Sequence, residues 1–526
     1  MFAGINGCSD NDFADLYPDP SKTSTVSCEK LMTGVFYSAL TYTKPVRYGI
    51  EYLNLTIYGM NSQTVGYANN GYTFRVGSAP DNRWKDFYKM VAQFRMLEET
   101  YDKLDDAGKA DYEVFVLLAE TFVYEQLQQM VDVFGDMPFS KAGTLAITGD
   151  AATSKPAYDK AEDLYTTMLD RLGAINTRLA ALQTAGLSTI AQAYLPKQDY
   201  ICNGNLAAWQ RFTNSLRLRV ALRAASNGSL TSKAQGVLKD IIENPGTNPV
   251  IENNAQNILI AADNDGFDPH LDEDGAHGIR DAYTADDGRN QTAPQSLLDK
   301  LTGDPRLSIM FKQKGGAYRG MAHTENEAAQ DVDWRAGLYS VVDSATFGWN
   351  SKYPGILFTA AEVAFIKAEA FNNGWASGNA ENAFKEAVAQ SVEFYFYLNG
   401  LSDYRTPAVA PTSTEVSTLV NTLWSGTYTD AAEAIGTQKW IHFSLILQRE
   451  AWAELRRTAL PVLTFQDITG ARAFNLPVDR FMYPESEYLY NKDNYPADAS
   501  RNAVTENKRK LFWAKPTGWY QTIPQI

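Results

Sequence analysis

The chain has 526 residues, 44% of them hydrophobic, ample for a packed core without disulfide or metal staples, in one large domain or several. Its 47 Lys and Arg residues face 62 Asp and Glu, a formal charge of −15 that disfavours phosphate backbones and anionic lipid, so nucleic acid is not the expected partner. No window approaches the roughly 20 apolar residues of a membrane-crossing helix.

Taken from the start, Ile5, Asn6 and Gly7 precede Cys8 like a loose bacterial lipobox, and Ser9, Asp10, Asn11 and Asp12 follow as an acidic tether, which makes Cys8 the candidate lipidation residue. Met1 to Gly7 carries neither the basic start nor the apolar stretch of a secretory signal. Cys28 and Cys202 are too few for a disulfide framework or a zinc site and leave room for a single bridge. Residues 1–29 are therefore read as a tether and residues 30–526 as one domain.

An apolar pattern from Lys30 to Tyr42 predicts a helix, and Asp81 to Leu104 predicts another with Trp84, Phe87, Met90, Val91 and Phe94 on one side. Between them, Tyr58 to Pro80 has a Gly, Asn, Ser and Tyr composition that predicts a loop presenting Tyr67, Asn69, Asn70, Tyr72 and Arg75. Further helices are expected over Asp111 to Val131, from Tyr158 onward, over Asn205 to Ala225, and over Ser232 to Glu243 as an antiparallel partner. Gly135 and Pro138 enforce a turn after the first of these. Arg217, Arg219 and Arg223 fall on different sides of one helix, so they are expected to be solvated or bridging scaffold charges and not an anion site.

Asn244 to Arg306 and Lys312 to Tyr353 are long irregular insertions, and the second holds Trp334, Arg335, Tyr339 and Trp349 among small residues without helical period. Within the first, Asp263 to Gly275 raises calcium, because hard cations need several close oxygens, yet it lacks the third acidic position and distal Glu of an EF-hand. A non-EF calcium site is left open there; otherwise no metal or cofactor is expected. His270, His277, His323 and His442 form no metal spacing, and no known catalytic signature occurs.

Thr359 to Tyr395 reads as a helix pair. Ala368, Phe371, Ala380 and Phe384 have tetratricopeptide spacing, small where helices approach closely, with Gly374 and Gly378 in the turn. Thr437 to Pro461 is expected to be one helix with Trp440, Phe443, Leu447, Ala451 and Leu455 inward, cations Arg456 and Arg457 in its last turn, and a stop at Pro461. Trp84, Trp209, Trp440 and Trp452 are expected in the core. The fold class is all-α, a helical-repeat scaffold bearing irregular loop-rich insertions near 58–80, 244–306 and 312–353.

Three segments, VDVFGDMPFSKA, WQRFTNSLRLRVALR and TQKWIHFSLILQREAWAELRRTALP, resemble the SusD/RagB family of outer-membrane nutrient-binding lipoproteins, in its second SusD-like branch close to RagB. PAYDKAEDLY, TAAEVAFIKAEAFNNGW, LPVDRFMYPESEYLYN and DLYPDP agree in the family's order. The resemblance implies a non-catalytic, tetratricopeptide-like scaffold at the cell surface, anchored to the outer membrane by a lipidated cysteine, here Cys8. It implies a hinged lid on a SusC-type TonB-dependent transporter that receives captured glycan or peptide.

The family's ligand contacts lie in variable loops, so the site is chosen by chemistry. Sugars offer apolar C–H faces to aromatic rings and hydroxyls to amides, carboxylates and guanidinium groups. Two clusters supply that mixture: Tyr67, Asn69, Asn70, Tyr72 and Arg75, and Trp334, Arg335, Tyr339 and Trp349. The alternatives are a glycoside hydrolase, which needs only two carboxylates about 5–10 Å apart, and a protein–protein adaptor built on the repeats.

Overall fold

In a computed structural model the protein is described over residues 27–68, 74, 77–151, 154–262, 279–467 and 476–524. Its longer α-helices are α1 (Cys28–Tyr37), α2 (Ala79–Asp102), α3 (Asp106–Phe134), α4 (Ala161–Ala185), α5 (Thr189–Gln198), α6 (Leu206–Ala224) and α7 (Thr231–Glu243). They continue as α8 (Glu327–Arg335), α9 (Ala360–Asn372), α10 (Ala380–Leu401), α11 (Ser413–Thr422), α12 (Ala431–Phe443) and α13 (Gln448–Thr458). The strands are short and pair two by two: β1 (Ile258–Ile260) with β4 (Gly355–Phe358), β2 (Phe311–Lys312) with β3 (Val341–Val342), and β5 (Leu463–Asp467) with β6 (Tyr520–Pro524). The protein is thus a mostly helical, tetratricopeptide-like scaffold, and among the described residues no helix is long and apolar enough to cross a membrane.

Local chemistry sets the helix ends. Asp105 caps α3 by accepting from the Gly108 N–H at 2.8 Å, Asn205 caps α6 through the Ala208 N–H at 3.0 Å, and Thr412 with Glu415 forms a reciprocal capping box on α11. In the α9–α10 pair, Ala368 and Phe384 are buried as the spacing requires. Gly378 is needed there for space, because a Cβ would lie 2.2 Å from Phe371 Cζ. This pair carries its own small core with α11 and α12, through Ala364, Phe365, Ala387, Val388, Val420 and Ile435. The larger core draws on residues from Cys28 to Trp519 and takes in Trp84, Trp209, Trp440 and Trp452 as expected.

Several expectations are corrected. The segment from Lys30 to Tyr42 is α1 followed, after Ser38 and Ala39, by a single turn over Leu40–Thr43. The loop expected from Tyr58 begins later, since Tyr58 closes a π-helix over Gly49–Gly59, and it ends at Ala79 where α2 starts. Thr437 to Pro461 is two helices. The chain leaves α12 after Phe443, turns through Ser444 to Leu447 with the Leu447 N–H on the Phe443 carbonyl at 2.9 Å, and restarts as α13. No Gly or Pro marks this break. It exists because Leu445, Ile446 and Leu447 are themselves buried, and a straight helix would carry them past the core.

Nor is that region one-sided. Lys439, Gln448, Glu450, Glu454, Arg456 and Arg457 are buried along with the apolar residues. Arg219 and Arg223, expected to be solvated or bridging, are buried and bridging. Arg223 donates to Asp132 at 3.1 Å and to Glu450 and Glu454, and Arg219 grips Glu362 with bonds of 2.5 and 2.7 Å. Arg457 pairs with Glu369 and Glu454, and Lys439 donates to the same two carboxylates at 3.0 and 2.6 Å. Burial alone would raise the Glu450 carboxyl, but Arg219 and Arg223 pull it down to about 2. Cys28 and Cys202 are both free, buried thiols, so the single bridge the sequence left open does not form.

Candidate functional site

The insertions between α7 and α9 are positioned by backbone hydrogen bonds that substitute for regular sheet. Loop residues Gly66 and Ala68 donate to the carbonyls of Thr292 and Arg289 at 2.7 and 3.2 Å, so the loop after the π-helix is laid along the end of the 3-10 helix Ala285–Gln291 and the extended residues that follow it. That segment pairs on with Met321 and Ser340, whose N–H groups and carbonyls bond to Ala293 and Arg319 at 2.7–2.9 Å. Gly66 permits the approach, since a Cβ there would meet the Thr292 carbonyl at 3.0 Å. Tyr67, between the two anchors, is held at φ +52°, a left-handed conformation uncommon for a tyrosine.

Where these segments meet, Ala68, Met321 and Tyr339 form a small separate core with Trp334 packed against it. Tyr339, expected to face ligand, is 1% exposed, and its hydroxyl donates to Glu325 at 2.9 Å. It is a packing residue. Trp334 and Arg335 were expected outside any helix, yet they end α8, which Asn326 caps through the Ala329 N–H. Trp334 is half-buried with the Arg289 guanidinium 5.7 Å from its ring centre, and the exposed Arg335 pairs with Asp331 at 2.6 Å. Tyr67 is partly buried and packs on the main core. The structure therefore brings Trp334 and Tyr339 together at Ala68, next in the chain to Tyr67, and sets Trp349 elsewhere, while Asn69, Asn70, Tyr72 and Arg75 lie outside the described residues.

Trp349 is the expected site aromatic, among the described residues, that faces solvent most clearly. It is 42% exposed and stacks on Tyr404, itself 51% exposed, with ring centres 5.1 Å apart and planes 22° from parallel. The Arg280 guanidinium lies 5.1 Å from the Trp349 ring centre, and Lys312 Nζ lies 6.0 Å from that of Tyr404. Exposed stacked aromatics of this kind forgo burial that the core would give them, which makes the pair a candidate recognition surface.

This platform is rigidly mounted. The Asp343 carboxylate, fully buried, accepts from the Thr346 N–H and hydroxyl and from Arg405 at 2.6–3.0 Å, fixing the turn that leads to Trp349. Asn350 donates to the Leu398 carbonyl and Asn399 to the Thr346 hydroxyl, both at 2.9 Å, bolting the turn to the end of α10. Tyr404 enters from the segment that follows α10, and Arg280 from the helical run that leads to Arg289. Sequence reasoning missed Tyr404, Arg280 and Lys312. Tyr404 stands in SDYRTP, a polar turn composition like that around Tyr72, which is the signal that marks it in the sequence.

A large cleft of about 1010 Å³ lies elsewhere, between α11, the 299–308 segment and Phe396, and none of the expected site residues lines it. Volume and aromatic exposure thus point to different places. The cleft has Phe396 and Tyr428 in its wall, but among the described residues no stacked pair of rings is open to solvent there, and on that ground the aromatic platform has the better claim. Among the described residues no group of His, Cys, Asp and Glu is arranged to hold a metal ion, and Cys8, His270, His277 and Asp263 to Gly275 lie outside them. His323 and His442 are buried, which pushes both imidazoles down to about 3 and keeps them neutral.

Comparison with known proteins places this geometry in context. The model of the SusD-like family described as "Starch-binding associating with outer membrane" matches residues 20–484. Among solved structures, a chitin-binding protein shares 22% identity over 92% of this chain and 100% of its own, with a TM-score of 0.72. A SusD homolog from Bacteroides fragilis shares 19% over 93% and 100% at a TM-score of 0.68, and a chitin-binding SusD homolog from Flavobacterium johnsoniae 18% over 94% and 100% at 0.67. None of the curated proteins compared matches the chain. At these identities the likeness concerns the fold.

Proposed function

The chain belongs to the SusD-like family, and from that premise we propose that it is a cell-surface nutrient-capture protein that binds saccharide at the Trp349–Tyr404 platform and acts without bond cleavage. The observation that carries this reading is the exposed stacked pair on a braced turn, ringed by cationic side chains able to donate to hydroxyls. In this reading the captured oligomer passes to a SusC-type TonB-dependent transporter for which the chain serves as lid, and Cys8 carries the lipid that holds it at the outer membrane. The family's description and the solved chitin-binding relatives support glycan over peptide.

A binding screen with polysaccharides and oligopeptides side by side, read by affinity electrophoresis and calorimetry with product analysis, tests it. Saturable retention by a polysaccharide without released product is the expected result. Product release would make the chain a hydrolase. Co-purification with a transporter but no ligand binding, even in the assembled complex, would make it an adaptor.

A further inference from the structure

The surroundings of the platform narrow the ligand class, resting on the capture reading above. Three of the nearby cations are already paired: Arg405 with Asp343 at 2.6 Å, Lys352 with Asp403 at 2.7 Å and Arg280 with Asp281 at 3.6 Å. Two are not. Among the described residues no carboxylate lies within ion-pair distance of Lys312 or Lys314, and Lys312 donates only to the Ser344 hydroxyl at 2.8 Å. Arg405 and Lys314 also act on Lys312 as like charges. Burial first, and those two cations with it, lower the Lys312 ammonium below its ordinary value despite the opposing pull of Asp343.

Unpaired cations are common on protein surfaces, but these stand in a chain of net charge −15, with Lys312 6.0 Å from the centre of the Tyr404 ring and Lys314 near enough to act on it. A neutral sugar would leave their charge unused. A sugar bearing an anion would satisfy ring and charge together, the C–H face against the aromatic pair and the anion toward Lys312. We propose that the Trp349–Tyr404 platform selects acidic saccharides, carboxylated or sulfated, with Lys312 and Lys314 reading the negative group. An acidic peptide would meet the cations but has no flat aliphatic ring for the stack.

The experiment compares the full chain against polygalacturonate and its fully methyl-esterified form, which share a backbone and differ in charge, with alginate and chondroitin sulfate as further acidic probes, starch and chitin oligomers as neutral ones, and polyglutamate as the peptide. Acidic polysaccharide should bind about tenfold or more tightly than its neutral counterpart. That advantage should shrink as salt rises from about 50 to 500 mM. Lys312→Gln with Lys314→Gln should abolish the advantage and leave neutral binding unchanged, whereas Trp349→Ala should weaken both. Equal binding of charged and neutral forms, indifferent to the lysine changes, overturns the acidic assignment and leaves capture standing. Polyglutamate binding as tightly as the acidic sugars, or acidic binding that does not weaken as salt rises, also overturns it. If no saccharide binds and Trp349→Ala changes nothing, the capture reading itself falls at this platform.

Discussion

Two tryptophan–arginine pairs in this protein do opposite work. Arg456 lies 3.6 Å over Trp452 and Arg280 lies 5.1 Å from the centre of Trp349. The first pair is fully buried beneath α13, where Arg456 donates to the carbonyls of Asp132 and Asp479 at 2.8 Å and burial pushes its guanidinium down to about 9. The second sits at the surface with an aromatic partner that is itself half-exposed. The cation over a ring is therefore not what marks a binding site. What differs is the setting: the ring and cation of the core pair are fully buried, whereas those of the surface pair stand where solvent reaches the ring.

If the contrast is real, the largest effect belongs to the buried side. Arg223→Ala removes the shared partner of Asp132, Glu450 and Glu454 and should cost about 3–5 kcal/mol in urea unfolding, with saccharide affinity of the folded protein unchanged. A loss under about 1 kcal/mol would mean that the network is not what holds α3, α6 and α13 together. Trp334→Ala belongs between the two regimes. Being half-buried on Tyr339 and Met321, it should lose about 2 kcal/mol of stability, and a purely functional residue would lose none.

Trp349→Ala should do the reverse, lowering saccharide affinity about tenfold while shifting stability by no more than about 0.5 kcal/mol. A stability loss matching that of Arg223→Ala would erase the distinction between the regions. The buried side can also be read through a pH slope, whose size depends on how far the pH is lowered. His323 and His442 have imidazoles held down to about 3 in the fold against an ordinary 6.5, so the unfolded chain binds those protons first. Stability is full above about pH 6.5 and falls as pH drops toward 3, by about 1.4 kcal/mol per pH unit for each histidine. Below about pH 4.5, Glu450, with its pKa held near 2, adds to the decline as its unfolded counterpart takes up a proton. His323→Phe should remove one histidine's share of the slope; an unaltered slope would show that His323 is not buried as a neutral base.

Much of the fold was legible because it rests on local periodicity. The helices near Trp84, Trp209 and the Ala368–Phe384 pair follow from apolar spacing that any sequence window displays. The break between Phe443 and Gln448 was not, because no turn residue signals it and the cause is the burial of Leu445 to Leu447 by distant segments. The site divided along the same line. Loop composition singled out both Trp349, which is exposed, and Tyr339, which is not, because its burial depends on Ala68 and Met321 arriving from elsewhere in the chain.

By itself the sequence determined the family, the helical-repeat class and the identity of the large aromatics in each insertion, since these depend on residue order and spacing. Only the tertiary structure decided which of those aromatics face solvent, that Tyr404, Arg280 and Lys312 join Trp349, and that Arg219 and Arg223 are interior. Exposure and charge pairing are properties of what packs against a residue, and for every one of these the decisive neighbour comes from a remote part of the chain.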